Sequence, residues 1–530
     1  LKRSYRLFSG AVSAILLVLA TFGPAAATPY RTINPQPPAD DPVTLTGHDL
    51  TIEQLVAVAR YGQKVEVSPE AAEHQEQAHN LLLEAAAEGI PIAGFNRDGA
   101  TVLFEGDPVA PDTAAMLRQK QLALFQGETS TGSEVTDEGE VRAMMAVRAN
   151  TLTYAPASLP VTRLLVDFLN NRITPVTYAG NPLGSIAAAM IGKGDAYYHG
   201  IRMPAAQALA QAGLTPLTPV DDDYEALTGT DAYTASRAAL LVADGRLMLE
   251  WSDLIFAMDL DGMNAGIAPL TLPAQENRPL KWNYWDAARV LDMLKGSYLL
   301  TEDAPEPIPY PGYRSLTSQG AAWRAWAALR DVVLVALNSS DQALAVRPGL
   351  SQRETRELSS PRMLKYFVKG GHDNGGERGF IVPTQNRNAA SLENDVDNFS
   401  GAVGGLNEAL AQRITPSANM PRLPGQAVER EQSRWTLETA FDLLAIDLTG
   451  ATRLMDQRLA ENPARTFGAA PTAAWTAFRA AVPGQTAGDA AQAAAARFIQ
   501  FNRPAAFYPK GEAPPGSDDP IPLAQEKMDR

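Results

Sequence analysis

The sequence predicts a mostly α protein, a bundle of long helices with a small mixed α/β part at its N-terminal end. Three observations predict it. Apolar residues recur at helical spacing over long stretches: Leu241, Met248, Trp251, Ile255 and Met258; Trp326, Leu329, Val333 and Ala336; and Leu437, Phe441, Leu444, Leu448, Ala451 and Met455. Such stripes belong to helices with one buried face. Helix-start chemistry precedes two further apolar runs, with Asp49 or Thr51 ahead of the first and Ser68-Pro69 ahead of the second, which Gly89 would end. Strand-like alternation is scarce beyond the first ~110 residues, where Val43-Thr44-Leu45 reads as a short strand.

Taken in order, residues 1–27 read as a secretory signal. Lys2, Arg3 and Arg6 precede the apolar run Ala11–Ala20, and small residues end at Ala27. That run is about half the ~20 residues a membrane span needs, so cleavage is expected and an uncleaved anchor helix is the alternative. Residues 28–42, "TPYRTINPQPPADDP", are Pro-rich and polar and read as a linker. An N-terminal domain is expected over 43–220 and a central long-helix bundle over 221–460. Within the latter, 340–385 reads as a loop insertion around Gly370-Gly371 and Gly375-Gly376. C-terminal helices are expected over 461–503 and a disordered, Pro-rich tail over 504–530.

With 530 residues, 45% of them hydrophobic, the chain can bury a large core. Its formal net charge of −15 argues against nucleic acid, whose phosphates demand a basic surface. The absence of cysteine excludes disulfides, thiolate nucleophiles and cysteine-ligated metals. His74 and His79 stand five apart, do not share a helix face well, and read as a solvated face. No Gly-x-Ser-x-Gly, phosphate-loop or dinucleotide motif occurs in a credible setting.

Seven collinear segments resemble the aromatic amino acid lyase family, the histidine, phenylalanine and tyrosine ammonia-lyases. They are "VTLTGHDLTIEQLVAVAR" at 43–60, "EGIPIAGFNRDG" at 88–99, "VRAMMAVRANTL" at 141–152, "IAAAMIGKGDAYYHGIRMPAAQALAQAGLTPLTP" at 186–219, "ALTGTDAYTAS" at 226–236, "SLTSQGAAWRAWAALRDVVLVALNSSDQ" at 315–342 and "LLAIDLTGATRLMD" at 443–456. The resemblance implies the long-helix bundle of the aromatic amino acid lyase (L-aspartase-like) type, a homotetramer, and an amino-acid-like or aryl-acid ligand. Family members also build an electrophile, the methylidene-imidazolone group (MIO), from an internal Ala-Ser-Gly. Serine loses its hydroxyl, and the bare nitrogen of glycine folds back to close the ring.

That triad is missing where the resemblance places it. The sequence runs from Pro175-Val176 to Pro182-Leu183 through Thr177, Tyr178, Ala179, Gly180 and Asn181. Gly184-Ser185-Ile186 lacks the closing glycine, and Phe399-Ser400-Gly401 lies far along the chain in an expected helix. No MIO and no other cofactor is therefore expected. Ala93 stands where the resemblance places a catalytic tyrosine, and Thr228 where it places an asparagine. Tyr313 and Arg314 fall near its Tyr-x-x-Arg pair but are adjacent; Asn96, Gln319 and Asn338 match polar positions.

Two functions remain open on this reading. One is an exported homologue, expected in the bacterial periplasm, that has lost ammonia elimination and binds a ligand or partner. The other is a carbon–nitrogen lyase working by acid–base elimination without MIO. Its acid–base candidates are Tyr178 and Tyr313, and its ligand-contacting candidates are Asn96, Thr228, Arg314, Gln319 and Asn338, with Arg314 suited to clamp a carboxylate. Neither involves nucleic acid, nor a membrane once the leader is removed.

Overall fold

The computed structural model describes residues 30–33, 41–89, 92, 95–98, 101–127, 131–153, 155–276, 280–302, 313–338, 387–414, 432–484, 486 and 488–507. The expected leader at 1–27 and insertion at 340–385, and all of the expected tail after Phe507, lie outside the described residues.

The N-terminal part is mixed, as expected. Strand β1 (Val43–Leu45) pairs in parallel with β2 (Val65–Val67), Val43 opposite Val65, across the crossover helix α1 (Ile52–Tyr61). Thr51 starts α1 with a full capping box: its hydroxyl accepts the Gln54 N–H while the Gln54 side chain accepts that of Thr51. Gly62, at φ 74°, closes the helix in the left-handed conformation that glycine adopts without strain. Ser68 caps α2 (Pro69–Ala87) through the Ala71 N–H. A small ladder, β3 (Arg97–Asp98) with β4 (Thr101–Val102), leads to α3 (Pro111–Phe125).

Helices α4 (Glu138–Leu152) and α5 (Leu159–Asn170) lie behind α1, and α4 is buried along almost its whole length. That burial includes Arg142, whose guanidinium donates to the carbonyls of Val58 (2.8 Å) and Leu169 (3.0 Å). It thereby fastens the last turns of α1 and α5 to α4. Burial, with Arg172 nearby, pushes the Arg142 pKa down to about 10.

A sheet the sequence did not announce follows. Strands β5 (Ile173–Pro175), β6 (Asp195–Tyr198) and β7 (Ile201–Pro204) form an antiparallel trio in that order. Helix α6 (Pro182–Met190) lies between its first two strands and α7 (Ala205–Gln211) follows its third. Strands of three or four residues are too short to show alternation. The signal that was present is His199-Gly200, both at positive φ (48° and 83°), the geometry of a two-residue hairpin turn.

Beyond α8 (Asp223–Thr228) come the long helices. Helix α9 (Ala232–Met263) is the axis. Against it pack α11 (Lys281–Met293), α12 (Tyr313–Asn338), α13 (Arg387–Ile414) and α14 (Gln432–Glu461), after the short α10 (Leu272–Glu276). The three stripes read from the sequence all face this core; Met248, Trp251, Leu329 and Leu444 are fully buried. Trp326 donates to the Val242 carbonyl (2.8 Å), so its indole N–H is satisfied inside the apolar packing. Ser400 bonds back to the Val396 carbonyl within α13, an ordinary helical serine. Helices α15 (Ala469–Ala481) and α16 (Gly488–Phe501) close the C-terminal side.

Three expectations need correction. Arg31, in the stretch read as linker, runs parallel to Asp137, donating its N–H to Thr136 (2.7 Å) and accepting that of Glu138 (3.0 Å). Tyr30 stacks on Tyr197 with centroids 3.5 Å apart. Pro504–Phe507, read as tail, forms a 3₁₀ turn whose Phe507 packs on Trp251 and Phe498. His79 is no solvated residue: its Nδ1 lies 2.9 Å from the Pro156 carbonyl and its Nε2 3.1 Å from Asp221.

Replacing the Arg142 clamp tests this packing. Arg142→Met strands two buried carbonyls, so a loss of about 2–4 kcal/mol of unfolding free energy is expected, seen as a lower urea midpoint; an unchanged midpoint would mean the clamp is idle.

Candidate functional site

The stretch from β5 to α6 decides what the fold can do chemically. It is held from one side by residues 131–135, which bend at Gly132 and Ser133. Thr177 gives its carbonyl to the Val135 N–H (2.9 Å), the Ala179 N–H goes to Ser133 (2.9 Å), and the Gly180 N–H goes to Thr131 (2.8 Å). Tyr178 faces Glu134 across this ladder. The approach is as close as a backbone allows. A Cβ on Gly180 would stand 2.7 Å from the Thr131 carbonyl oxygen, and one on Gly132, at φ 84°, would stand 2.9 Å from the Gly180 nitrogen. Asn181 then caps α6 by accepting the Gly184 N–H (3.1 Å), with Pro182 in the first turn where no N–H is needed.

This arrangement does not fit an internally formed MIO. The ring needs serine followed by a glycine whose nitrogen is free to attack the carbonyl two residues back. Between Val176 and Pro182 the only hydroxyl of a serine or threonine is that of buried Thr177, followed by Tyr178. The one glycine nitrogen, that of Gly180, is committed to Thr131. Ser185 lies in the first turns of α6, and its hydroxyl donates to the Asn181 carbonyl (3.0 Å).

The residues singled out from the sequence fall in separate places. Tyr178 is half-buried beside Ser185, whose Oγ accepts its backbone N–H at 3.4 Å. Thr228 ends α8, which packs on α6, and its hydroxyl goes to the Tyr224 carbonyl (2.8 Å). Asn96 organises the turn before β3, accepting the Ile92 N–H (2.7 Å) on its side chain and the Leu103 N–H (2.8 Å) on its carbonyl. Tyr313 and Arg314 open α12, but their side chains lie outside the described residues.

Asn338 is the end of a rivet. Its Oδ1 accepts from the Leu50 N–H (2.8 Å) and from Asn150 (3.2 Å); its Nδ2 donates to the carbonyls of Leu50 (2.9 Å) and Leu334 (3.0 Å). Both donors and both acceptor positions of the amide are taken. Asn150 continues the rivet to Gly47 (2.9 Å) and the Leu337 carbonyl (2.9 Å), joining the loop before α1 to the end of α12.

Gln319 is fully buried in the bundle, where its Nε2 donates to Asp253 (3.0 Å). Its Oε1 meets no partner among the described residues. The same Asp253 carboxylate takes the Trp323 indole N–H (3.1 Å) and pairs with Arg289 (3.1 Å). A second buried charge group sits further along α9. There Arg413 bridges Asp259 (3.2 Å) and Asp447 (2.5 Å), with its guanidinium 5.3 Å from the Phe256 ring centroid. Burial raises the Asp447 carboxyl, and Arg413 opposes the rise.

Sequence reasoning missed both groups. The available signal was charge inside "EWSDLIFAMDLDGM", where α9 is enclosed on all sides and an acid needs a partner.

Comparison with known proteins places this geometry. The family model "Aromatic amino acid lyase" matches residues 50–423. Histidine ammonia-lyase 2 of Fusobacterium nucleatum is 26% identical over 321 residues, 58% of this chain and 62% of that protein, so the chain spans less than two thirds of that relative's length. Among solved structures, histidine ammonia-lyase from Trypanosoma cruzi superposes with TM-score 0.68 at 16% identity, covering 89% of this chain and 96% of that one. Ergothionase from Treponema denticola, an ergothioneine-degrading enzyme in complex with desmethyl-ergothioneine sulfonic acid, superposes with TM-score 0.66 at 19% identity, covering 87% and 99%. At these identities the two superpositions show the shared all-α fold.

The close approach at the head of α6 yields a clean substitution pair. Gly180→Ala is expected to cost about 1–3 kcal/mol, because its methyl meets backbone that cannot swing away. Tyr178→Phe is expected to stay within about 0.5 kcal/mol of the parent. Denaturant midpoints of the two variants check this.

Proposed function

The chain belongs to the aromatic amino acid lyase family, and on that premise we propose that it is a member that builds no MIO and uses the lyase scaffold to bind an amino-acid-like or aryl-acid ligand, or a partner. The observation that carries this reading is the five-residue passage from Val176 to Pro182. It offers no Ser-Gly, and its Gly180 nitrogen is spent on Thr131. Without the electrophile there is nothing to take up the amino group of a substrate and turn it into a leaving group.

A second reading keeps the chain an enzyme. It eliminates from an amino-acid-like substrate by acid–base chemistry alone, with Tyr178 and Tyr313 as proton carriers and Arg314 clamping the carboxylate. It is favoured by the company the chain keeps, since its relative is a histidine ammonia-lyase and one structural neighbour degrades ergothioneine.

The proposal extends to setting. The basic and apolar leader supports export, and the family supports a homotetramer. Among the described residues no helix is long and apolar enough to cross a membrane.

Incubating the purified protein with histidine, phenylalanine, tyrosine and ergothioneine separates the two readings. The binding reading expects no release of ammonia or trimethylamine, together with a rise in melting temperature for at least one ligand in a thermal-shift panel. Turnover of any substrate that is lost in Tyr178→Phe or Arg314→Lys would replace it with the lyase reading.

A further inference from the structure

We propose that Asp253 and Asp286 hold one proton between them at neutral pH, and that this buried, proton-bridged pair fastens α9 to α11 and sets the orientation of Gln319. The pairing stands whether the site binds a ligand or turns one over.

The geometry comes first. Asp253 is fully buried on α9 and already receives two N–H groups, from Gln319 (3.0 Å) and Trp323 (3.1 Å), while the Arg289 guanidinium pairs with it at 3.1 Å. It is the group built to carry negative charge. Asp286 is fully buried on α11, which packs on α9, and its carboxyl lies beside that of Asp253. Among the described residues neither of its oxygens receives an N–H or O–H. A carboxylate with no donor has no reason to remain charged in such a place, whereas a carboxylic acid has one acceptor ready, the Asp253 carboxylate.

Charge counting points the same way. From α9 comes Asp253, from α11 Asp286 and Arg289, and from α12 only the neutral Gln319 and Trp323. Arg289 lies over the Trp285 and Trp323 rings, at 5.3 and 5.1 Å. Arg413 of α13 is the other cation that reaches Asp286, and it already has Asp259 of α9 and Asp447 of α14. Among the described residues, two carboxylates thus face Arg289 at close range, and one proton evens the count.

The titration follows with a definite sign. Burial raises Asp253 to about 6, with Arg289 opposing; burial and then the Asp253 charge raise Asp286 well above the usual carboxylate range. The folded protein therefore holds more protons than the unfolded chain, whose aspartates titrate near ~3.9. Stability from the pair is greatest on the acid side, and it is lost as pH rises through about 6 and on toward the higher value of Asp286. When the proton leaves to solvent, Asp286 is repelled from Asp253 and α11 is loosened from α9.

Asp286→Asn tests this, because its amide keeps a donor toward Asp253 without a proton to lose. Two readouts are expected. The infrared carbonyl band of a protonated carboxylic acid, present in the wild type at pH 7.5, loses the Asp286 contribution in the variant. The melting temperature of the variant relative to wild type rises by roughly 2 °C or more between pH 5 and pH 9. Asp286→Leu, which needs no polar partner in an apolar bundle, serves if the amide variant does not fold. Superimposable infrared bands at pH 7.5, or a melting-temperature difference that is flat with pH, overturns the proposal.

Discussion

The passage from β5 to α6 is the constraint on which the chemistry of this molecule depends. Three backbone hydrogen bonds to residues 131–135 and a turn closed by the Asn181 N–H on the Tyr178 carbonyl hold it, and Gly132 and Gly180 meet so closely that a side chain at either would press on backbone. A chain held this way gains rigidity, and its one glycine nitrogen is already committed to the Thr131 carbonyl. Ring closure in an ammonia-lyase needs a free glycine nitrogen directly after a serine, and this passage offers neither. The same lyase-type scaffold is thus joined to a connection with a different physical character, in which the backbone polar groups are satisfied by one another.

Around that connection the fold is held by buried polar groups that each join distant parts of the chain. Arg142 ties α1 and α5 to α4 through two carbonyls. Asn150 and Asn338 rivet the loop before α1 to the end of α12. Glu138, fully buried, takes the Ile33 N–H and the Arg172 guanidinium, so the N-terminal stretch is bound to α4. In the bundle, Asp253 gathers side chains from α11 and α12, and Arg413 gathers acids from α9 and α14. Such groups are costly to bury and costlier to leave half-paired, which fixes the register of long helices that apolar stripes alone would allow to slide.

Much of this was legible in the sequence and some was not, for identifiable reasons. The long helices were legible because their stripes repeat over many turns, and the starts at Thr51 and Ser68 because capping chemistry is local. The β5–β7 sheet was not, since three-residue strands carry no period, although His199-Gly200 marked its hairpin. The seating of Tyr30 and Arg31 depends on partners a hundred residues away, so a Pro-rich composition read as linker misled. At the candidate site, the shortened passage could be read directly, but its ladder to residues 131–135 could not. Asn338 looked like a ligand contact because its residue type and position suit one; only the structure reveals that Leu50, Leu334 and Asn150 use all of its hydrogen-bonding capacity. The Asp253–Asp286–Arg289 group was invisible because its members come from two helices that only the fold brings together.

Weighing the intact purified protein by mass spectrometry is the most direct test of the claim that no MIO forms. The expected result is the mass of the unmodified chain, allowing only for removal of a leader. A mass lower by two waters, the loss that accompanies cyclisation and dehydration of a Ser-Gly, would contradict it.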